Sequence, residues 1–375
     1  MIAKKGKNFD IILITAEYHD DHPLSPSGII SRVLESKGYK IGIIEKPVTK
    51  EDYLKLGTPK LFFGVTSGSI DSMLHNYTPL KKKRSKDPYS NISLMPDRTL
   101  IVYCNKIREY FKSALIVIGG IEASMRRFAH YDYWDNNVRR SIIFDTRANI
   151  LVYGNGEKQI LEIAERIKKG LGIKGILGTC IVSKNIDDKF ILLPSFKEVK
   201  EDSSKFCAMQ RMLSNEKNLA QFYDNNYLLQ YHYPEYTTED LDWIYSLPYS
   251  RKLHPNSFLK MAKFSVVSHR GCIGNCNFCS LKLHQGEKII SRSENSILKE
   301  IESLVSHPDF KGHIDDLGGP SANMYGMDCD DKCNRECITC NKLNLSHKRL
   351  ISLLKKAREI QGVKKIFIRS GIRYD

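Results

Sequence analysis

Short, wholly apolar runs alternate with amphipathic stretches along the first half of the chain, and that alternation leaves few folds open. DIILIT (Asp10–Thr15) leads into PSGIISRVLESKGYKIGII, where Ile29, Ile30, Val33 and Leu34 share one helical face, Gly38 marks a stop and a second apolar run begins. KLFFGVTSG and ALIVIGG (Ala114–Gly120) add two further runs. NILVYGNGEKQILEIAERIKKG reads as strand, glycine loop and a helix with Ile160, Ile163, Ala164 and Ile167 facing inward. A strand without a polar face has to be covered on both sides. The pattern therefore predicts an α/β domain over residues 1–190, a doubly wound and mostly parallel sheet. Ligands of such sheets sit beyond the carboxyl ends of the strands. Those ends carry Thr66-Ser67-Gly68, Gly119-Gly120 and Gly154-Asn155-Gly156.

Over residues 191–255 the alternation loosens into a tyrosine-rich, proline-punctuated stretch, expected to connect two domains through its aromatic side chains. From 256 to 375 it resumes. KFSVVS is a strand, SRSENSILKEIESLVSH a helix with Ile297, Leu298, Ile301, Leu304 and Val305 on one face, and HIDDLGG a second strand. SHKRLISLLKKAREIQG and KKIFIRSG give a second helix and a third strand. A third strand with nothing covering its outer edge predicts a partial (β/α) barrel, completed by missing sequence or by another chain.

No run approaches the ~18 apolar residues of a membrane span, and the N-terminal apolar stretch is too short for a secretion signal. A cytoplasmic protein with no membrane partner is expected. The net charge of +15, from 58 Lys and Arg against 43 Asp and Glu, suits polyanions such as RNA, although a solvated lysine-rich surface is the simpler account.

In a reducing compartment, closely spaced cysteines serve metals or redox chemistry more often than disulfides. Of the ten cysteines, Cys104, Cys180 and Cys207 are scattered, and the other seven fall in two groups. The first, RGCIGNCNFCSLK, sets Cys272, Cys276 and Cys279 at C-x3-C-x2-C. Structural zinc wants four closed ligands, so His269, His284 or the second cysteine group would have to supply the fourth. Three thiolates also suit a 4Fe–4S cluster with one iron left open to an outside ligand. A loop between a strand and a helix at the start of a βα barrel fits that use.

This spacing, with Phe278 before the last cysteine, resembles the signature of the radical S-adenosylmethionine (SAM) superfamily. GGIEASMRRFAHYDYWDNNVRRSIIFD, LPYSRKLHP, IISRSENSILKEIE, DDLGGPSANMYGMDC and FIRSGIRYD together resemble the YgiQ-type family of radical SAM proteins, over almost the whole chain. The resemblance implies that the three thiolates hold a 4Fe–4S cluster and that SAM takes the open iron through its amino and carboxylate groups. An electron, supplied from an external donor, then cleaves SAM to methionine and a 5′-deoxyadenosyl radical, which takes hydrogen from a substrate. It further implies that Phe278 lies against adenine and that Gly318 and Gly319 allow close backbone approach to the methionyl end. Many members carry Gly-Gly-Glu there. This chain has Gly318-Gly319-Pro320, which removes an amide donor and a carboxylate and leaves Asp315 or Asp316 as substitutes. Members of the family also continue past the point where this chain ends.

The second group, CDDKCNRECITC, holds Cys329, Cys333, Cys337 and Cys340. Four thiols so close suit one metal, either tetrahedral zinc or an auxiliary iron–sulfur cluster. Domains laid out like residues 1–190 can bind cobalamin. The ligand pattern Asp-x-His-x-x-Gly is half present, since Asp20-Asp21-His22 fits and Ser25 replaces the glycine. A His22 without a ligand role is the simpler reading. Glu122, Arg126, Arg127, His130, Arg139 and Arg140 crowd the stretch after Gly120, either as a salt-bridged surface or as an anion site. A radical SAM enzyme is the expected function. A metal-stabilised RNA-binding protein and an inactive chain that keeps its cluster are the alternatives.

Overall fold

Ile11–Thr15, the first strand (β1), is buried along its whole length, as a strand covered on both faces must be. In the computed structural model, which describes residues 8–85, 94–274, 276, 278–329 and 337–373, it lies inside a nine-stranded sheet. The chain divides into two units, Met1–Pro234 with Tyr249–Phe258, and Glu235–Pro248 with Leu259–Asp375.

The first unit runs β1, α1 (Pro26–Glu35), β2 (Ile41–Glu45), α2 (Lys50–Leu54), β3 (Phe62–Thr66), α3 (Ser72–Asn76), α4 (Thr99–Tyr110), β4 (Ile116–Gly119) and α5 (Ile121–Met125). A small hairpin, β5 (His130–Asp132) and β6 (Asn137–Arg139), precedes α6 (Ile142–Thr146), β7 (Ile150–Val152) and α7 (Glu157–Lys168). Then come β8 (Thr179–Ser183), β9 (Ile191–Leu192), α8 (Phe196–Glu201), α9 (Ser203–Met212), β10 (Leu219–Tyr223) and β11 (Asn226–Gln230). The sheet order is β2-β1-β3-β4-β7-β8-β11-β10-β9. The first five of these pair in parallel. Chain order reverses between β1 and β3, the switch point where open α/β sheets take their ligands.

The stretch expected to be a connector differs from that expectation. Residues 191–234 supply β9, β10 and β11, and β11 joins the sheet antiparallel to β8. Antiparallel strands tolerate one solvated face, so Phe222 stays partly exposed while Leu219, Leu228 and Leu229 are buried. That alternation diluted the apolar signal. Tyr223, stacked on Phe196 with ring centroids 5.4 Å apart, joins the core with Met209 and Leu219.

The second unit contains α10 (Thr238–Ser246), β12 (Val266–Val267), β13 (His269–Arg270), α11 (Leu281–Gln285), β14 (Ile290–Ser291), α12 (Glu294–Val305), β15 (His313–Ile314), β16 (Leu317–Gly318), α13 (Lys348–Glu359) and β17 (Lys365–Ile366). β12 pairs in parallel with β16, and β15 with β17, so α12 and α13 are crossover helices of successive βαβ units. Val266, Ile297, Ile301, Leu304, Leu317, Leu350 and Leu353 form their shared core. The start of α12 is fixed by Ser293, whose side chain accepts from Ser296 N at 3.1 Å and whose amide donates to Asp242 of α10 at 3.0 Å.

Candidate metal and cofactor site

The cysteine loop leaves the β13–β14 hairpin through Gly271, whose φ of +91° suits glycine and whose missing Cβ leaves room for the Lys288 carbonyl. Arg270 is buried and its Nε donates to the Tyr245 hydroxyl at 3.0 Å, which anchors the loop's root. Cys272 is buried, while Cys276 and Cys279 are exposed. Gly274 lies between the first two thiols. A Cβ there would stand 3.3 Å from Cys272 Sγ and 3.8 Å from Cys276 Sγ. Both sulfurs thus border the space that glycine leaves open, a fit to a cluster held by closely spaced thiolates. Among the described residues, no three His, Cys, Asp or Glu side chains converge as a complete metal site. Phe278 is 93% exposed, so its ring has no packing role within the chain.

Gly318 and Gly319 lie at the carboxyl end of β16, and side chains from neighbouring strands fill the space each leaves. A Cβ on Gly318 would fall on Ser370 Oγ, and one on Gly319 on the His269 imidazole. Both Ser370 Oγ and His269 Nε2 are buried and have no hydrogen-bond partner among the described residues. Asp315 and Asp316, the expected substitutes for the missing glutamate, are committed elsewhere. Asp315 accepts from Phe264 N at 2.9 Å and Asp316 from Arg369 N at 2.7 Å. Burial raises the Asp316 carboxyl above the usual carboxylate range. His269 entered the sequence reading only as a zinc ligand. It lies three residues before Cys272, on the strand that carries the loop.

Of the second cysteine group, Cys333 lies outside the described residues. Cys329 is exposed, and Cys337 and Cys340 are half-buried. Cys337 packs against the apolar cluster of Cys272, Ile273, Ile289, Met324 and Met327.

In the first unit, His22 stands where the half-present Asp-x-His-x-x-Gly pattern puts its histidine. It is fully buried. Its Nδ1 accepts from Leu24 N at 3.0 Å, and Nε2 faces the Arg251 guanidinium at 3.1 Å. Its neighbours hold the same segment, since Asp21 accepts from Ser250 N at 3.0 Å and Asp20 from His254 N at 2.7 Å. Tyr18 stacks on His254 at 3.9 Å. Ser25, at the pattern's glycine position, caps α1 by accepting from Gly28 N. The Asp20–His22 turn is thus a clamp on residues 249–258. At the switch point, side chains that follow β1 and β3 meet. Glu17, after β1, accepts from Ser69 N at 2.9 Å and Ser69 Oγ at 2.6 Å, after β3. Burial pushes its carboxyl up to about 6.

The arginine-rich stretch is internally paired. Arg126 binds Asp71 at 3.0 Å, Arg127 donates to Gln230 and Asn215, and Arg139 and Arg140 both reach Asp145. Burial, with Arg126 alongside, lowers His130 to about 4. Glu122 accepts from Ser72 N and Leu100 N. This stretch ties helices together. No helix among the described residues is long and apolar enough to cross a membrane.

Residues 1–268 match the Radical SAM N-terminal family model, a match that ends just before the cysteine loop. A UPF0313 protein of Clostridium perfringens (strain ATCC 13124) is 43% identical, with 100% of this chain and 62% of the relative covered. One from Clostridium botulinum (strain 657) is 44% identical over 99% of this chain and 64% of its own length. The chain thus spans less than two thirds of these relatives. Among solved structures, the radical SAM methyltransferase TsrM of Kitasatospora setae superposes with a TM-score of 0.47 at 16% identity, covering 83% of this chain and 47% of that one. From the full-length match to these relatives and the family model over the first 268 residues, the chain belongs to the UPF0313 family and carries a radical SAM N-terminal domain.

Proposed function

We propose that this protein starts radical chemistry from SAM, with Cys272, Cys276 and Cys279 holding a 4Fe–4S cluster whose open iron takes the methionyl end of SAM. The observation that carries the reading is that Cys272 Sγ and Cys276 Sγ both border the space at Gly274, on the loop that follows β12 and β13, of which β12 pairs in parallel with β16. A cluster held by these three thiolates would supply, from an external donor, the electron for reductive cleavage of SAM. The chain's own residues position the reactants. Gly271 lets the loop turn against Lys288, Arg270 and Tyr245 hold its root, and the exposed Phe278 ring offers a face for adenine. Gly318 and Gly319 keep the strand end free of Cβ atoms.

A second metal on Cys329, Cys333, Cys337 and Cys340 would stand beside the first, because Cys337 borders the same apolar cluster as Cys272. Anaerobic reconstitution with iron and sulfide separates the two sites. Replacing Cys272, Cys276 and Cys279 together by alanine should remove about four iron atoms per chain and leave any metal on the second group in place. An unchanged iron content would refute the assignment.

A further inference from the structure

From Asn76 to Arg84 the first unit turns back on itself in a tight hairpin that joins neither the nine-stranded sheet nor the core cluster. Arg84 N donates to the Asn76 carbonyl at 2.8 Å, Tyr77 bridges Lys83, and Thr78 N donates to the Lys82 carbonyl at 2.9 Å. At the tip, Lys81 N closes the turn on the Thr78 carbonyl at 2.9 Å. Its φ is +59°, a left-handed position that such turns usually give to glycine. A lysine there sets a cation at the tip in spite of the backbone strain.

This hairpin leans on the β5–β6 hairpin. Tyr133, in the β5–β6 turn, donates its hydroxyl to the Pro79 carbonyl at 2.7 Å, and the Lys81 ammonium stands 4.6 Å from the centre of the same ring. Trp134 packs edge-on against Tyr133 and tilted against Tyr77, with centroids 5.7 and 6.3 Å away. Tyr131, on β5, is pinned by its hydroxyl's bond to Asn136 and is still 48% exposed. Ring faces fixed in this way lose little freedom when something stacks on them.

The acids nearby are already matched. Asp132 and Asp135 pair with Arg98, Asp135 also with Arg139, and Asp97 accepts from Asn76 and Tyr77. Lys81 and Lys82 are exposed and have no acidic partner among the described residues. A solvated lysine-rich surface would account for the net charge of +15, but not for exposed tyrosines braced beside the unmatched cations. Leu80, 79% exposed at the tip, would also suit a lipid surface. Membrane anchoring wants apolar side chains free to immerse, whereas both tyrosine hydroxyls are tied down and the rings are held as faces. Fixed aromatic faces flanked by cations suit unpaired bases and their phosphates, and unpaired bases are what RNA loops and ends present.

We propose that the hairpins 76–84 and 130–139 form a docking surface for single-stranded RNA, with the Tyr131 ring stacking on a base and Lys81 and Lys82 meeting the flanking phosphates. The surface needs no cluster, so the proposal stands or falls apart from the radical SAM reading.

Fluorescence anisotropy of a labelled RNA about a dozen nucleotides long, titrated with the whole chain over a range of salt, tests it. Wild type should bind with a Kd of about 10 µM at about 0.1 M salt. Lys81→Gln combined with Lys82→Gln should weaken binding about tenfold and flatten the log–log salt dependence by about 1.4, since each phosphate contact to a single strand contributes about 0.7. Lys168→Gln combined with Lys169→Gln removes the same charge from the end of α7 and should leave the affinity within about twofold. Tyr131→Ala should weaken binding about tenfold with the salt dependence unchanged, the loss of one stacked base, and Tyr131→Phe should stay within about threefold of wild type. If circular dichroism shows Tyr131→Ala to be unfolded, the two lysine pairs decide. Absence of RNA binding, or equal weakening by both lysine pairs, would overturn the proposal. So would equal affinity for duplex RNA, tighter binding of the same sequence as single-stranded DNA, or Lys81- and Lys82-dependent capture by phosphatidylserine vesicles with no binding of RNA.

Discussion

Asp21 illustrates how one carboxylate in the first unit is tuned by what it holds. Burial alone would raise its pKa, but hydrogen bonds from Arg32 and Ser250 outweigh it and bring the value down to about 2. A carboxyl depressed on folding stabilises the native state above its unfolded value near 4, and that contribution disappears as pH falls through about 2. Asp21→Asn should therefore cost about 1–2 kcal/mol at neutral pH after allowance for screening. Denaturant melts should show the gap to wild type closing between about pH 4 and pH 2. At the cysteine loop, Gly274→Ala places a methyl 3.3 Å from Cys272 Sγ, and iron per chain after reconstitution should fall while the fold of the second unit, followed by circular dichroism, stays unchanged. The first cysteine triad was readable because metal-ligand spacing is local along the chain. The partners of Asp20–His22 were not, since Ser250, Arg251 and His254 lie 229–234 residues away, and no local pattern reports contacts so distant.

At the scale of elements, Glu122 acts as a junction. Its two carboxylate oxygens accept from Ser72 N at the start of α3 and Leu100 N in the first turn of α4, satisfying helix-terminal amides that would otherwise be unpaired. Burial raises its pKa. Glu122→Ala should destabilise the first unit by about 3 kcal/mol, and Glu122→Gln by less, because the amide keeps one acceptor. Guanidinium midpoints compare the two. The parallel strands β1, β3 and β4 were readable from their apolar runs, because both faces are covered. The three strands in residues 191–234 were not, because antiparallel strands with a solvated face alternate and the Tyr-rich composition masks the period. Glu122 itself looked like one charge in a basic stretch, and only the fold brings two helix starts to it.

The molecule has a doubly wound sheet in its first unit and two βαβ units in its second. The proposed function rests on the cysteine loop and the glycine pair, which lie past the end of the family-model match at residue 268. In the first unit, Glu17 and Ser69 bond to each other at the switch point, and the Asp20–His22 turn holds residues 249–258. The chemistry proposed above is that of the second unit's cysteine loop. The decisive experiment is electron paramagnetic resonance of the anaerobically reconstituted, dithionite-reduced chain, recorded before and after SAM is added. The account predicts a 4Fe–4S signal that shifts with SAM in wild type and is lost when Cys272, Cys276 and Cys279 become alanine. A chain that binds only zinc, or whose cluster signal survives removal of that triad, would contradict it.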